Sequence, residues 1–156
     1  MMFNVLIAED NDFTAKQYKT ALEKRGHKVT LTKDGVECVD LYINEAKYEE
    51  LFRKTKTPPY DIVLLDHDMP RMTGAAAAKE ILEQRPNQRL IFLSAYGNAI
   101  MNKLDSVRED TIQIVQKPFS LSFLIRKIEG SALRNRIINA QNGTVMTSSQ
   151  DSAAIR

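Results

Sequence analysis

Residues 60–66 read Tyr-Asp-Ile-Val-Leu-Leu-Asp, a short apolar run that ends in an acid. A nearly continuous apolar run of this length is typical of a strand that is buried on both faces of a parallel sheet. The acid at its end is Asp66. Because ligands bind at the carboxyl ends of the strands in an open α/β sheet, the sequence predicts that Asp66 belongs to a functional site.

Three other apolar segments also end in polar residues. The first ends in Glu9-Asp10, the second in Ser94 and the third in Lys117. Parallel strands bring their ends to one edge of the sheet, so we expect these side chains to meet Asp66 there. The site then combines a cluster of carboxylates, a hydroxyl group and an amine.

This combination predicts a site for a divalent metal ion and a phosphoryl group. Crowded carboxylates such as Asp10 and Asp66 repel each other unless a cation lies between them. Mg²⁺ is the expected ion, with Mn²⁺ as the alternative, because it prefers oxygen ligands and also binds phosphate oxygens. Ser94 can donate a hydrogen bond to a phosphoryl oxygen, Lys117 supplies a positive charge, and an Asp carboxylate can itself attack phosphorus.

Strand-like and helix-like segments alternate five times along the chain. Strands are predicted near 3–8, 28–32, 60–66, 89–94 and 111–116. Helices are predicted near 13–25, 35–54, 74–85, 98–108 and 120–138. This alternation predicts a doubly wound α/β fold with helices on both faces of a parallel sheet. The second strand alternates polar and apolar residues, which is typical of an edge strand.

Size and composition exclude several classes of protein. The chain has 156 residues, a net charge of +2 and a single cysteine, Cys38, which rules out an internal disulfide and a multi-cysteine zinc site. No apolar run is long enough to span a membrane, and the short apolar start lacks the features of a signal peptide. We therefore expect a cytoplasmic protein without a membrane partner. No nucleic-acid partner is predicted, because the chain has only a thin basic cluster and no reading motif.

The sequence divides into a folded domain over 1–138 and a tail over 139–156. The tail loses apolar periodicity and is rich in Ser, Asn, Gln and Thr, so it is predicted to be disordered. A second unusual segment, 44–59, is long and charged and separates the second helix from the third strand. It is either a partner surface or a tolerated insertion.

Four motifs together resemble the receiver domain of two-component response regulators, over residues 3 to about 130. They are Glu9-Asp10, Asp66-x-x-Met69-Pro70-x-x-x-Gly74, Leu93-Ser94-Ala95 and Lys117-Pro118-Phe119. The resemblance implies a flavodoxin-like, five-stranded parallel sheet with strand order 2-1-3-4-5. It also implies a single-domain, chemotaxis-regulator-like phosphoprotein of a phosphorelay, which signals by changing conformation and is not an enzyme beyond its own phosphorylation and dephosphorylation.

The same resemblance implies a role for each residue of the site. Asp66 would be the phosphoacceptor that forms the aspartyl phosphate. The Mg²⁺ ligands would be the side chains of Asp10 and Asp66, Glu9 through water, and the backbone carbonyl of Asp68. Ser94, the backbone N–H of Ala95 and Lys117 would bind the phosphoryl group, and a cis peptide bond would fall at Lys117-Pro118. Tyr96 and Asp68 would tune the lifetime of the phosphoryl group.

One position departs from the family pattern. An aromatic switch residue is common three positions before the lysine, but this chain has Ile114 there. An aliphatic side chain has no polar tip to move between buried and exposed states, so the usual aromatic readout is in doubt while phosphorylation is not.

The resemblance implies partners of three kinds. A sensor histidine kinase or a histidine phosphotransfer protein would exchange phosphoryl groups with the chain, and a downstream protein would bind its activated form. A homodimer is a further hypothesis. The output surface is predicted over 98–108, 111–116 and 120–138.

Two other functions compete with this interpretation. One is a receiver fold that docks partners without being phosphorylated, for which Ile114 is the only supporting feature. The other is a phosphohydrolase of the haloacid-dehalogenase type, suggested by Asp66-His67-Asp68 after a hydrophobic strand. Among single residues, Asp12 is predicted to cap the first helix and His67 to be an exposed bystander. His27 has no candidate partner.

Overall fold

The computed structural model describes residues 1–97 and 111–154, and side chains as far as residue 141. Its strands are β1 (Asn4–Ala8), β2 (Lys28–Thr32), β3 (Ile62–Asp66), β4 (Leu90–Ser94) and β5 (Ile112–Gln116). The helices of these residues are α1 (Asp12–Lys24), α2 (Gly35–Phe52), α3 (Gly74–Gln84) and α4 (Leu121–Ala154). The predicted helix over 98–108 lies outside the described residues.

All five strands are parallel and form one sheet in the order β2-β1-β3-β4-β5. The predicted doubly wound fold, its strand order and the edge position of β2 are therefore confirmed. Ala8 pairs with Leu65 in the register of β1 and β3. The residue after Ala8 and the residue after Leu65 are both acids, so this register places Glu9 and Asp66 side by side at the carboxyl edge of the sheet.

The sheet has a separate hydrophobic core on each face, because successive strand residues point to opposite faces. One core lies under α2 and α3 and contains Leu6, Val63, Leu65, Phe92, Tyr42, Ala77 and Ile81. The other lies under α1 and α4 and contains Val5, Ile7, Leu64, Ile91, Tyr18, Leu22, Leu124 and Ile128. Cys38 belongs to the first core and is fully buried.

Each helix starts at a polar side chain that accepts a hydrogen bond from the first turn. The capping side chains are Asn11, Asp34, Thr73 and Ser120. The predicted cap of α1 is wrong, since Asn11 accepts from the Thr14 N–H at 2.9 Å and Asp12 is the first helical residue. Asp12 still favours the helix there, because a negative charge in the first turn interacts well with the helix dipole.

Two helices differ in length from their predictions. α2 ends at Phe52, and Lys54 follows with a φ of 55° in the left-handed region. α4 continues to Ala154, whereas the sequence pattern ends it near 138. Backbone hydrogen bonds extend a helix without an apolar stripe, which was the only signal for its end. The domain boundary and the disordered tail over 139–156 stay predictions. Within the described ranges, no helix combines the length and apolar character needed to cross a membrane.

His27 has two partners, so the expectation that it has none is wrong. Its Nδ1 accepts from the Phe3 N–H at 3.2 Å, and its Nε2 lies 2.9 Å from Glu129 Oε1. Arg25 also binds Glu129, and this hydrogen bond together with that of His27 lowers the pKa of Glu129 to about 2. The contacts join the end of α1 to α4 across 102 positions of sequence, which no local pattern shows.

Gly74 fits against the backbone that leaves β3. A Cβ at this position would lie 2.7 Å from the Asp66 carbonyl oxygen and 3.1 Å from His67 Cα. The Gly74 N–H also donates to the His67 carbonyl oxygen at 3.1 Å. Because backbone atoms cannot move aside as a flexible side chain can, only glycine allows α3 to start this close to Asp66.

We expect Gly74→Ala to lower the free energy of unfolding by ~1–3 kcal/mol, since the new methyl group clashes with backbone. Gly130→Ala is the matched control. Gly130 lies inside α4 with no atom within 4 Å of an added Cβ, so alanine should stabilise the protein by ~0.5–1 kcal/mol. Urea unfolding of both variants measures the two changes. Equal stability of Gly74→Ala and the parent would contradict the close approach.

Candidate functional site

Three acids meet at the carboxyl edge of the sheet. Carboxylate oxygens of Glu9, Asp10 and Asp66 all lie within 4.8 Å of one another. Glu9 and Asp66 are buried, and Asp10 is exposed. The site is therefore open to solvent on the side of Asp10 and closed on the side of the sheet.

Glu9 has one satisfied and one unsatisfied carboxylate oxygen. Its Oε1 accepts from the Asn11 N–H at 3.1 Å, whereas Oε2 is buried and has no hydrogen-bond partner among the described residues. Burial, and next the negative charge of Asp66, raise the pKa of Glu9 to about 7. A buried oxygen without a donor, beside two other acids, is the arrangement that a hard cation relieves. The acids present thus fit Mg²⁺ or Mn²⁺.

Lys117 forms an ion pair with Asp66. Its Nζ lies 2.9 Å from Asp66 Oδ1, and the Asp66 side chain is only 5% exposed. Burial raises the pKa of Asp66, and nearby Asp10 adds to this, although Lys117 acts in the opposite direction. Burial is the largest influence on Lys117 and lowers its pKa, but the hydrogen bond with Asp66 and the negative charges of Asp66, Glu9 and Asp68 together outweigh it, so the net pKa is raised. The lysine therefore stays charged beside the carboxylate.

The position of Lys117 is fixed by the neighbouring strand. Its backbone N–H donates to the Ser94 carbonyl oxygen at 2.9 Å. The Lys117-Pro118 peptide bond is cis, as the resemblance implies. Phe119 then packs beside Tyr18 of α1, with ring centroids 6.4 Å apart. The end of β5 thus places the amine beside Asp66 and turns the chain toward α4.

Ser94 and the residues after it lie at the end of β4. Ser94 is buried, and its Oγ accepts from the Tyr96 N–H at 2.9 Å. Ala95 is exposed, and the Tyr96 side chain is 74% exposed. Asp68 is also exposed, just beyond Asp66. The structure thus places Ser94, Ala95, Tyr96 and Asp68 at the same strand ends as Asp66 and Lys117, while the roles predicted for all residues of the site stay predictions.

His67 is half-buried, so the expectation of an exposed side chain is wrong. Its Nδ1 is buried and lacks a hydrogen-bond partner within residues 1–97 and 111–141. Backbone hydrogen bonds of His67 explain why its side chain is half-buried. The His67 N–H donates to Leu93 of β4 at 3.1 Å, and its carbonyl accepts from Gly74, which holds the residue against the sheet.

Ile114 is half-buried and packs against the core under α2 and α3. Its Cγ2 would lie 3.0 Å from a Cβ on Gly97, so the glycine makes room for the branched side chain. Where the family pattern has an aromatic residue, this chain thus has an aliphatic side chain that packs between β5 and Gly97, shortly after β4.

Tyr18 is a residue of the site that the sequence pattern did not reveal. It lines a pocket of about 640 Å³ together with Glu9, Lys117 and Phe119. Burial, and then the charge of Glu9, raise its pKa to about 12, so it stays a neutral phenol. Its position on the apolar stripe of α1, four residues before the buried Leu22, gives it the signature of an ordinary core residue.

Comparisons with known proteins agree with this geometry. A family model described as the response regulator receiver domain matches residues 5–129. The chemotaxis protein CheY of Thermotoga maritima is 31% identical over 125 residues, which are 80% of this chain and 92% of that protein. The hybrid signal transduction histidine kinase I of Dictyostelium discoideum is 38% identical over 144 residues, which are 90% of this chain but only 8% of the kinase.

A solved structure is similar in both sequence and fold. The receiver domain of the Francisella response regulator 1452 superposes with a TM-score of 0.66 at 29% identity, covering 85% of this chain and 98% of that one. The phosphohydrolase alternative has no support from these matches, because the receiver family covers the acidic pair, Asp66 and Lys117 together.

We expect the metal-free protein to lose stability as the pH rises from about 4.5 to about 7. The pKa of Glu9 is 4.5 as a reference and about 7 in the folded protein, so the folded state binds this proton more tightly. The raised pKa of Asp66 acts in the same direction. The loss should be about 1–3 kcal/mol by linkage.

Urea unfolding at pH 5 and pH 8, with a chelator present, measures this difference. Glu9→Gln should reduce it, whereas Glu83→Gln, an exposed glutamate of α3, should leave it unchanged. A parent protein that is more stable at pH 8 than at pH 5 would contradict the expected sign.

Proposed function

The chain belongs to the response regulator receiver domain family, and we propose that Asp66 is its phosphoacceptor. The donor is a phosphohistidine on a sensor histidine kinase or on a histidine phosphotransfer protein. The observation that carries this proposal is the 2.9 Å ion pair of Lys117 with Asp66 beside the acids Glu9 and Asp10. A buried carboxylate between a fixed cation and a metal-type acidic cluster suits nucleophilic attack on phosphorus.

The reaction is a simple displacement at phosphorus. A carboxylate oxygen of Asp66 forms the new O–P bond, the P–N bond of the phosphohistidine breaks, and the imidazole leaves with the bonding electrons and takes up a proton. Hydrolysis later replaces the Asp66 oxygen with water and releases inorganic phosphate. Catalysis of phosphoryl transfer consists mostly of positioning and of neutralising negative charge.

The acidic residues of the site would hold Mg²⁺, with Mn²⁺ as the alternative. The ligands would be the side chains of Asp10 and Asp66, Glu9 through water, and the backbone carbonyl of Asp68. When bound, the ion supplies positive charge for the acids and for the phosphoryl oxygens. The unpartnered Oε2 of Glu9 supports this assignment, because it is buried and has no hydrogen-bond donor among the described residues.

Three groups of the chain would bind the phosphoryl oxygens. Lys117 keeps its positive charge beside Asp66 and would pair with one of them. The Ser94 hydroxyl and the backbone N–H of the exposed Ala95 would donate hydrogen bonds to another. Ser94 Oγ now accepts from the Tyr96 N–H, so a phosphoryl group that binds Ser94 would compete for its orientation. Tyr96 would therefore respond to phosphorylation through Ser94, and so would Ile114, which lies against Gly97 next to Tyr96.

The output of this reaction would be a change of surface. We place the protein in the cytoplasm, where the kinase domain of a sensor meets it, and assign its output to contact with a downstream protein. The phosphoryl group can shift the equilibrium between two conformations only by the free energy of its new contacts in one of them. The backbone N–H of Lys117 donates to the Ser94 carbonyl oxygen, so the carboxyl ends of β4 and β5 would move together.

We expect the parent protein to gain one phosphoryl group when it is incubated with a small acyl phosphate and Mg²⁺. Asp66→Asn should gain none, because an amide is not a nucleophile of this kind, and a chelator should abolish the gain. Asp40→Asn is the matched control, since this carboxylate of α2 is exposed and lies outside the site. Intact-mass spectrometry measures the gain.

Other outcomes favour the competing functions. If neither the parent nor Asp40→Asn gains mass with several donors, the chain is a docking module that keeps the receiver fold without its chemistry. If the donor is consumed rapidly and no adduct accumulates, phosphohydrolase activity returns as an explanation.

Lys117→Met should change metal binding and phosphorylation in opposite directions. The ammonium group of Lys117 lies 2.9 Å from Asp66 and competes with a metal ion for the acids. Without it, the affinity for Mg²⁺ should rise by up to about tenfold, because like charges repel each other even in a partly buried site. Phosphorylation should fall, because one charge partner of the phosphoryl group is lost. Isothermal titration and intact mass measure the two effects. A fall in both would show that Lys117 is needed for folding of the site.

A further inference from the structure

The last turns of α2 carry an apolar surface that contributes nothing to either core. Tyr48 is 49% exposed, Leu51 64% and Phe52 71%. These three residues, here called the α2 patch, lie three and four positions apart and so share one face of the helix. The rings of Tyr48 and Phe52 pack on each other with centroids 4.9 Å apart. Single exposed apolar residues are ordinary, but a cluster with two stacked aromatic rings marks a contact surface.

The α2 patch belongs to a part of the helix that the domain holds in place. Arg85, at the end of α3, donates from Nη2 to the Ala46 carbonyl oxygen at 3.0 Å and pairs with Glu50 at 3.5 Å. Arg53 pairs with Glu49 on the last turn. The opposite side of the helix is thus fixed to the domain, so the patch is presented on an ordered element.

Charged residues around the patch are arranged with opposite signs at its two ends. Residues 45–50 carry three acids, Glu45, Glu49 and Glu50, against one lysine, Lys47. The basic residues Lys54 and Lys56 follow its end. If two copies of α2 pack antiparallel across their patches, the acidic turn of each copy faces the basic end of the other. A two-fold symmetric contact requires such a self-complementary surface.

We propose that the α2 patch is a self-association surface through which two copies of this chain pair by antiparallel packing of α2. Stacked aromatic side chains at its centre and charge pairs at its rim match the general anatomy of protein interfaces. A patch of three large side chains is small for a permanent dimer. The pairing is therefore weak and depends on concentration.

The surface lies at the opposite edge of the sheet from the phosphoacceptor. The first turn of α2 is near the site edge, where its cap Asp34 pairs with Arg71 at 3.1 Å. The 18 residues of α2 then run ~27 Å at 1.5 Å per residue to Phe52. Self-association through the patch therefore leaves Asp66 accessible, and the inference does not depend on phosphorylation of Asp66.

Sedimentation equilibrium of the full chain tests the proposal. The weight-average mass should rise from 17.7 kDa toward twice that value as the protein concentration increases from ~10 µM to ~1 mM, the range for a small interface. The double variant Tyr48→Gln, Phe52→Gln should associate at least tenfold more weakly. Ile137→Ser is the matched control, because it removes an exposed apolar side chain of α4 and should associate as the parent does.

A charge-reversal experiment tests the antiparallel geometry. Glu45→Lys and Lys56→Glu should each weaken self-association, because each homodimer then has like charges at both ends. An equimolar mixture of the two variants should associate about as well as the parent, since every reversed charge meets its opposite in the mixed dimer. Circular dichroism confirms that each variant is folded.

Three results would overturn the proposal. They are a parent mass that stays at 17.7 kDa throughout, association of the double variant equal to that of the parent, and failure of the mixture to recover association. If the double variant is phosphorylated at the parent rate, its loss of self-association is not caused by a failure of the site chemistry.

Discussion

The repulsion among carboxylates at the edge of the sheet is the constraint on which the site depends. Glu9 and Asp66 emerge side by side because Ala8 pairs with Leu65, and the backbone therefore enforces a contact that the charges oppose. Burial first, and then the charges of neighbouring acids, raise the pKa of both carboxyl groups. Lys117 offsets only part of this rise, and one oxygen of Glu9 remains without a donor in the described part of the chain. Such a site is poised to take up positive charge and to hold a phosphoryl group against it.

Most of the fold could be predicted from the sequence because its signals are local. Apolar runs mark the strands, alternation marks β2 as an edge, and the resemblance to receiver domains implies the strand order that the sheet has. The residues of the site follow from the same logic, since strand ends meet at one edge. What the sequence did not reveal depends on contacts between distant segments. His27 with Glu129, and Tyr18 beside Glu9, are joined only by the tertiary fold.

Errors of burial and of boundaries also have physical causes. His67 was expected to be exposed because neighbours in an extended chain alternate, but backbone hydrogen bonds to Leu93 and Gly74 hold it against the sheet. Asn11 caps α1 instead of Asp12, a shift of one residue between two side chains that can both accept the bond. The length of α4 follows from backbone hydrogen bonds that continue beyond the last apolar repeat.

The pairing of Ala8 with Leu65 has a consequence for how such a chain can change over evolutionary time. A one-residue insertion in β1 or β3 would turn the side chains beyond the insertion to the opposite face and would separate Glu9 from Asp66. Changes of length in these strands would therefore disrupt the site. The segment after Phe52, in contrast, lies on the surface at the edge of the sheet opposite Asp66. New interactions can arise there by insertion, while the acids that carry the chemistry keep their spacing.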